Sequence, residues 1–232
     1  TIGFALPIYG IQSDSNAKGI GVAIGIRVVD EELFDPEISQ RPEELPPEEI
    51  PLIGFTSTFR PWHGTEDLLD AFKTLVYQFQ SPAHLLCIGD GPEKSRFQEV
   101  ATNNGLADRI HCPGNIPHEE VNNWLSSCSV AVAPYPQLDE FWFSPIKIFE
   151  YFCCGLPVVG SEIGQVKDLI SSDHGTLVPI GDVESMALGL KKFLDDPKTS
   201  TTVGQNARRW VLNSATWKIR ASQVLDLVEE VR

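Results

Sequence analysis

The stretch FSPIKIFEYFCCGLPVVGS, residues 143–161, sets one lysine and one glutamate into an otherwise apolar helical pattern. Ser144 is a good N-cap, and Pro145 is favoured at the first helical position. The next amides, those of Ile146 and Lys147, would then lack intrahelical partners and point out of the helix end. Unpaired N–H groups and the helix dipole together make an anion site. Lys147 in that first turn opposes the dipole, and a bound phosphate would reverse the sign of the interaction. Glu150 lies about one turn, roughly 5.4 Å of rise, below those amides. That is about the span from the phosphates of a nucleotide to its ribose. An ionised carboxylate only accepts hydrogen bonds, which suits a pair of neighbouring ribose hydroxyls. The stretch therefore fits a sugar-nucleotide site, with phosphates at the helix tip and the pentose on Glu150. It fits equally a part-exposed Glu150 paired with Lys147 three residues earlier, worth a few tenths of a kcal/mol. Spacing alone does not choose between them.

Such a helix needs strands to hold it. From residue 51 onward, short apolar runs bounded by turn residues alternate with helical patterns. PLIGFTSTF (51–59), AHLLCIG (83–89), RIHCPG (109–114), SVAVAPY (129–135), LPVVGS (156–161) and GTLVPI (175–180) predict six strands. Leu68, Leu69, Phe72, Leu75, Val76 and Phe79 make one helical stripe. Further helices are expected over 92–105, 117–127, 144–154, 165–172, 183–195, 199–213 and 216–231, the first of these stopped at Gly105. The rhythm predicts an α/β fold, a doubly wound, Rossmann-like parallel sheet with C-terminal helices. Ligands of such sheets bind beyond the carboxyl ends of the strands. That singles out the turns 56–64, 89–92, 114–117, 134–144 and 161–164. Upstream, NAKGIGVAIGIRVV is expected to give one strand or a hairpin, and EELFDPEISQRPEELPPEEIP, acidic and proline-rich, an extended linker.

Composition narrows the chemistry. With 18 Lys and Arg against 32 Asp and Glu, the formal charge is −14. That opposes a surface built to grip nucleic-acid phosphates and leaves room for a local basic site. No apolar run approaches the roughly 18 residues that span a bilayer. The opening TIGFALPIYGIQSDSNAKG lacks the basic lead-in and long apolar core of a signal segment. Cys87, Cys112, Cys128, Cys153 and Cys154 are scattered, with no C-x-x-C pair, and are expected to pack as small hydrophobes. A cytoplasmic chain without a metal site is the expectation, since the histidines also show no ligand spacing. His84 and His111 fall in strand patterns and are expected to be packed.

Two glycine-bearing turns remain. IGDGP puts Gly89 and Gly91 after the second strand, where backbone must approach a neighbour closely or take positive φ. It is not the G-x-G-x-x-G fingerprint, which disfavours a nicotinamide enzyme. FRPWHG after the first strand offers Arg60, whose guanidinium can fork onto a phosphate, and His63, which adds charge only when protonated. It also reads as a surface loop tied by Trp62. GSEIGQ is an ordinary tight connection in which Gly164 is as well explained by structure as by function.

Taken in order and spacing, IGDGP, GNIPHEEVNNWLSSCSVAVAPY, SPIKIFEYF and GLPVVGS resemble the carboxyl-terminal, donor-binding domain of retaining GT-B fold glycosyltransferases. The nearest likeness is the large group 1, family 4-like class that includes sucrose-phosphate synthase and many capsule and lipopolysaccharide mannosyl- and glucosyltransferases. The resemblance covers roughly residues 49–230. SATWKIRASQVLDLVE looks like the last helix of that family, which crosses back onto the amino-terminal domain. GIRVVDEELFDP is similar to its inter-domain segment, without the usual Asn-Gly. The division this implies is a segment and linker at 1–48, a nucleotide-sugar-binding domain at 49–213 and a crossing helix at 214–232.

The resemblance also implies roles. Glu150 matches the glutamate that binds the donor ribose. The family's other carboxylate, by the donor sugar hydroxyls, falls on Trp142, which cannot do a carboxylate's work; Asp139 and Glu140 are the acids in the same loop. The Arg and Lys that neutralise the diphosphate fall on Thr58 and His63, with Arg60 displaced by two positions and Lys147 sharing the task. Backbone groups of Gly114, Asn115 and Ile116 would hold the nucleobase. No cofactor and no obligatory metal are implied. The donor would be a nucleoside diphosphate sugar, and the acceptor a sugar, lipid or glycan.

Two functions compete. One is hexosyl transfer with retention, the leaving diphosphate being stabilised by Arg60, Lys147 and the amides of the Ser144–Pro145–Ile146 turn. The other is a non-catalytic sugar-nucleotide-binding or partner-docking module, favoured by Trp142 and the altered basic pair. A sugar-nucleotide epimerase of the same fold is a weaker third. A complete GT-B enzyme has two such domains around one cleft, so a partner chain supplying the amino-terminal half is expected.

Overall fold

The computed structural model describes residues 28–138 and 144–230. Its strands are β1 (Leu52–Thr56), β2 (His84–Ile88), β3 (Ile110–Gly114), β4 (Val130–Ala133), β5 (Val158–Ser161) and β6 (Gly175–Val178). They form one sheet in the order β3-β2-β1-β4-β5-β6, every pair parallel. The order reverses between β1 and β4, and the expected Rossmann-like doubly wound sheet is what the chain adopts.

Helices cover both faces. The helices are α1 (Thr65–Tyr77), α2 (Lys94–Asn103), α3 (Val121–Leu125), α4 (Ile146–Cys153), α5 (Val166–Leu169), α6 (Val183–Asp195), α7 (Pro197–Ser214) and α8 (Trp217–Glu230). Successive strand residues point to opposite faces, and both faces are apolar. Ile53, Phe55, Leu85, Cys87, Val130, Val132 and Val159 pack beneath α1, α2 and α6. Leu52, Leu86, Ile88, Ala131, Ala133 and Val158 pack beneath α3, α4 and α7. Burial on both faces explains why the strands read as continuous apolar runs.

Several boundaries differ from expectation. The helix expected over 117–127 splits into a 3-10 turn at His118–Glu120 and the short α3. There Ser126 and Ser127 turn their hydroxyls back onto Asn122 and Asn123, a bonding pattern that competes with helix extension. The helix expected over 165–172 is the single turn α5, ended by Ile170 in an extended conformation. Only Asp196 separates α6 from α7: its carboxylate accepts from the amides of Lys198 and Thr199, and Pro197 takes the first helical position.

The acidic, proline-rich segment is not an extended linker where it is described. Phe34 and Leu45 enter the core, and Val29 pairs with Thr216 ahead of α8. Arg41 donates to the carbonyls of Pro46 and Ser127. Prolines kept the chain out of regular structure, but two large apolar side chains drew it onto the sheet. The hairpin expected around 16–29 lies mostly outside the described residues. His84 and His111 are not packed inside: both are half-exposed on β2 and β3, hydrogen-bonded to each other at 2.8 Å with stacked rings. Among the described residues no helix is long and apolar enough to cross a membrane.

Candidate functional site

The candidate site gathers at the carboxyl ends of β1, β3, β4 and β5, and α4 is its anchor. Ile148, Phe149, Tyr151, Phe152 and Cys153 are buried along α4. Phe149 and Phe152 pack on Trp210 of α7. At the far end, Gly155 takes φ 72° and Leu156 donates back to the Tyr151 carbonyl at 3.0 Å. Gly204 of α7 comes so near that a Cβ there would stand 1.9 Å from the Gly155 carbonyl oxygen. On the β1 side, the Tyr151 hydroxyl accepts from the Thr56 amide at 2.8 Å and meets the Thr56 hydroxyl at 3.0 Å. The helix is thereby fixed in position against both the strand end and α7.

Its first turn departs from expectation in detail. Pro145, not Ser144, occupies the cap position, and no side chain caps the helix. Ser144 Oγ is closed from solvent with no hydrogen-bond partner. The Ile146 amide is not free; it donates to the Ser144 carbonyl at 2.9 Å. With Pro145 at ψ 62° the chain turns too sharply for Ser144 to reach the helix amides. Anion-binding capacity at this end therefore rests on the lysine side chain more than on a row of free amides.

Lys147 supports that shift. Its stem is part exposed, but Nζ is closed from solvent and has no hydrogen-bond partner. It lies 5.1 Å from the ring centre of Phe55 and 5.4 Å from that of Tyr135. Burial pushes its pKa down to about 7, partly opposed by the Glu150 charge. Glu150 is half-buried, and burial raises its pKa while His118 and Lys147 pull it down. Among the described residues Glu150 makes neither an ion pair nor a hydrogen bond, so the bland Lys147–Glu150 pair is not formed. Sequence reading gave His118 no role, yet it stands at the turn after β3 and bears on Glu150. Its ring packs edge-on against Phe34 at 5.2 Å. A histidine three residues past Asn115 carried no motif that could have flagged it.

The β1 turn supplies the facing wall. Arg60 is exposed, its guanidinium 5.9 Å from the Trp62 ring centre. His63 is held neutral: burial first, then the Lys147 and Arg60 charges, lower its pKa to about 3. Its Nδ1 lies 2.9 Å from Ser57 Oγ and 3.4 Å from the Arg60 amide. The Arg60 amide donates to Nδ1, so Nδ1 is an acceptor and takes the Ser57 hydroxyl proton too, while Ser57 Oγ accepts from the Phe59 amide. That leaves His63 the Nε2–H tautomer, a neutral donor rather than the charge a lysine would bring. The turn is tightly built. Phe59 takes φ 42° while fully buried. Cβ atoms on Gly89 and Gly91 would stand 1.9 and 1.8 Å from the carbonyl oxygens of Ser57 and Thr58, the close approach expected of IGDGP.

At the β3 turn, the Gly114 carbonyl accepts from the Gly89 amide at 2.8 Å. Asn115 is exposed and Ile116 packs partly on the core. Trp142, with Asp139 and Glu140, lies outside the described residues. The structure thus brings Arg60, His63, Lys147, Glu150 and the 114–118 turn to one edge of the sheet.

Comparison with known proteins agrees with this fold. The family model of glycosyl transferases group 1 matches residues 37–210. The chain is similar to a GDP-mannose-dependent alpha-(1-6)-phosphatidylinositol monomannoside mannosyltransferase of Mycolicibacterium smegmatis, 26% identical over 183 residues, 77% of this chain and 47% of that protein. It is also similar to 2-deoxystreptamine N-acetyl-D-glucosaminyltransferase of Streptomyces fradiae, 35% identical over 138 residues, 59% of this chain and 32% of that protein. Among solved structures, sucrose-phosphate synthase of Thermosynechococcus elongatus aligns with TM-score 0.77 and 26% identity, covering 88% of this chain and 51% of that one. The chain spans about half the length of such relatives, or less. With a family match over most of its length and the sheet to go with it, this chain belongs to the group 1 glycosyl transferases of GT-B fold.

Proposed function

We propose that this chain holds the donor, a nucleoside diphosphate sugar, for retaining transfer of a hexose. One observation carries the reading: among the described residues, a lysine ammonium closed from water has no partner and lies one helical turn from a carboxylate that makes no hydrogen bond. An unpaired buried cation is costly unless something anionic completes it. A diphosphate at Lys147 would do so, with ribose hydroxyls on Glu150. His118 and the backbone of Gly114, Asn115 and Ile116 would flank the ribose and base. Arg60 and the His63 Nε2–H would meet the diphosphate from the β1 turn. As the bond to the leaving diphosphate breaks, negative charge grows there, and these fixed groups stabilise it without rearranging.

Acceptor contacts would come from the half of the fold that this chain does not span, in the same polypeptide or a partner. Free thiols throughout fit a reducing compartment, the cytoplasm. Calorimetric titration with UDP- and GDP-sugars tests the reading. Saturable binding of one of them, abolished by Glu150→Ala, is the expected result; heat from neither nucleotide would overturn it. The second reading, a binding module without transfer, is favoured by Trp142 at a carboxylate position. It predicts the same binding and no transfer even when the other half is added.

A further inference from the structure

Two thiols on neighbouring strands lie apart from the chemistry above. Cys87 sits on β2 between Leu86, which pairs with His111, and Ile88, which pairs with Gly114. The extra residue on β3 makes a bulge, and Cys87 therefore faces Cys112 and Pro113. Both thiols belong to the same face: Cys87 is in the core beneath α1, α2 and α6, and Cys112 packs against that core. Cys87 is buried and Cys112 part exposed, and the two thiols are close enough to influence each other's ionisation. Lys94 of α2 reaches the same strand end, its Nζ 3.4 Å from where a Gly114 Cβ would stand.

We propose that Cys112 is a thiol–disulfide exchange site for low-molecular-weight disulfides, and that Cys87 resolves the resulting mixed disulfide into a β2–β3 cross-link. Neighbouring strands run about 4.7–4.9 Å apart, within the roughly 4.4–6.8 Å between Cα atoms that a disulfide spans. In the first step the Cys112 thiolate attacks one sulfur of the reagent, whose S–S bond breaks and releases one small thiolate. That thiolate takes the Cys87 proton. The Cys87 thiolate then attacks the Cys112 sulfur, and the second small thiolate leaves and takes up the proton that Cys112 had given to solvent. Two protein thiols are oxidised by two electrons, and one small disulfide is reduced to two thiols.

Selectivity follows from surroundings. Burial pushes the thiols of Cys128 and Cys153 up to about 12 and raises Cys154 as well. Cys112 shifts the other way, first through the neighbouring Cys87 thiol and then through the Lys94 charge, against its own burial. Thiolate character and exposure together decide which cysteine reacts.

The test is reaction of the whole chain with glutathione disulfide, read by intact mass and peptide mapping under native conditions. The wild type should lose the mass of two hydrogens, with the peptides carrying Cys87 and Cys112 joined. Cys87→Ala, or Cys87→Ser should the first not fold, should stop at a glutathione adduct on Cys112. Cys112→Ala should react at least ~10-fold more slowly than the wild type. A wild type that does not react, that stops as an adduct, or that is modified first at Cys128 overturns the proposal, as does wild-type reactivity in Cys112→Ala.

Discussion

Lys147 and Arg208 are two part-buried cations at opposite ends of the same helix. Arg208, from α7, meets the carboxyl end of α4, where a positive charge agrees with the helix dipole. Its guanidinium donates to the carbonyls of Cys153 and Phe34 and pairs with Asp35 at 2.8 Å. It ties α4, α7 and the proline-rich segment together. Lys147 stands at the amino end, against the dipole, over two aromatic rings and with no acceptor. Ser144 Oγ, Ser161 Oγ and Gln165 Oε1, from the turns at that same edge, are likewise closed off without partners. Completed polar groups hold a fold; incomplete ones, clustered where α/β sheets take their ligands, indicate what is to be bound.

The contrast can be broken first at Arg208. Arg208→Ala should cost about 3 kcal/mol, since it strands a half-buried carboxylate and a helix-end carbonyl. At this chain length that lowers the melting temperature by roughly 6–12 °C. An unchanged melt would show that the clamp is ornamental. Lys147→Met should do the reverse, leaving the melt unchanged or higher because a desolvated cation is gone. Affinity for the cognate nucleoside diphosphate should fall ~100-fold, about 2.7 kcal/mol. A loss under threefold would mean that the ammonium does not meet the phosphates.

Titration sharpens the comparison further. The free Lys147 pKa is about 7, and a bound diphosphate raises it, so binding takes up a proton above that pH. Affinity should be flat below pH 7 and fall by at most ~10-fold per unit above it. Lys147→Met should abolish the slope, and calorimetry in buffers of different ionisation heat should show the proton. Glu150→Gln should weaken binding by ~10-fold, as expected of one charge-assisted hydrogen bond. Deoxyribose donors should lose no more than a few tenths of a kcal/mol on that substitution. The last effect, absent at neutral pH and growing only in acid, belongs to His63. Its folded pKa is depressed to about 3, so the unfolded chain binds the proton first as pH falls below about 6.5, and stability declines from there. His63→Gln should flatten that acid decline, measured by melts across pH 4–7. His84 and His111, lowered in the same direction, would carry the remainder.

The sequence by itself determined the strand and helix order, because runs such as LLCI and VAVA are apolar on both faces and can only be central strands of a covered sheet. It also picked out Glu150, since a carboxylate amid Phe149, Tyr151 and Phe152 is a local contradiction. The cap expected at Ser144 did not form, because Pro145 takes that position. What it could not carry were contacts that join distant segments. Phe34 and Leu45 look like loop residues until the sheet offers them a place. His118 acquires meaning only beside Glu150, and Cys112 only beside Cys87. Whether Lys147 would pair with Glu150 or stand alone over Phe55 and Tyr135 was likewise left open by spacing. Tertiary structure decided these because burial and unmet hydrogen bonds are properties of what surrounds a residue, and those surroundings come from strands that lie far apart in the chain.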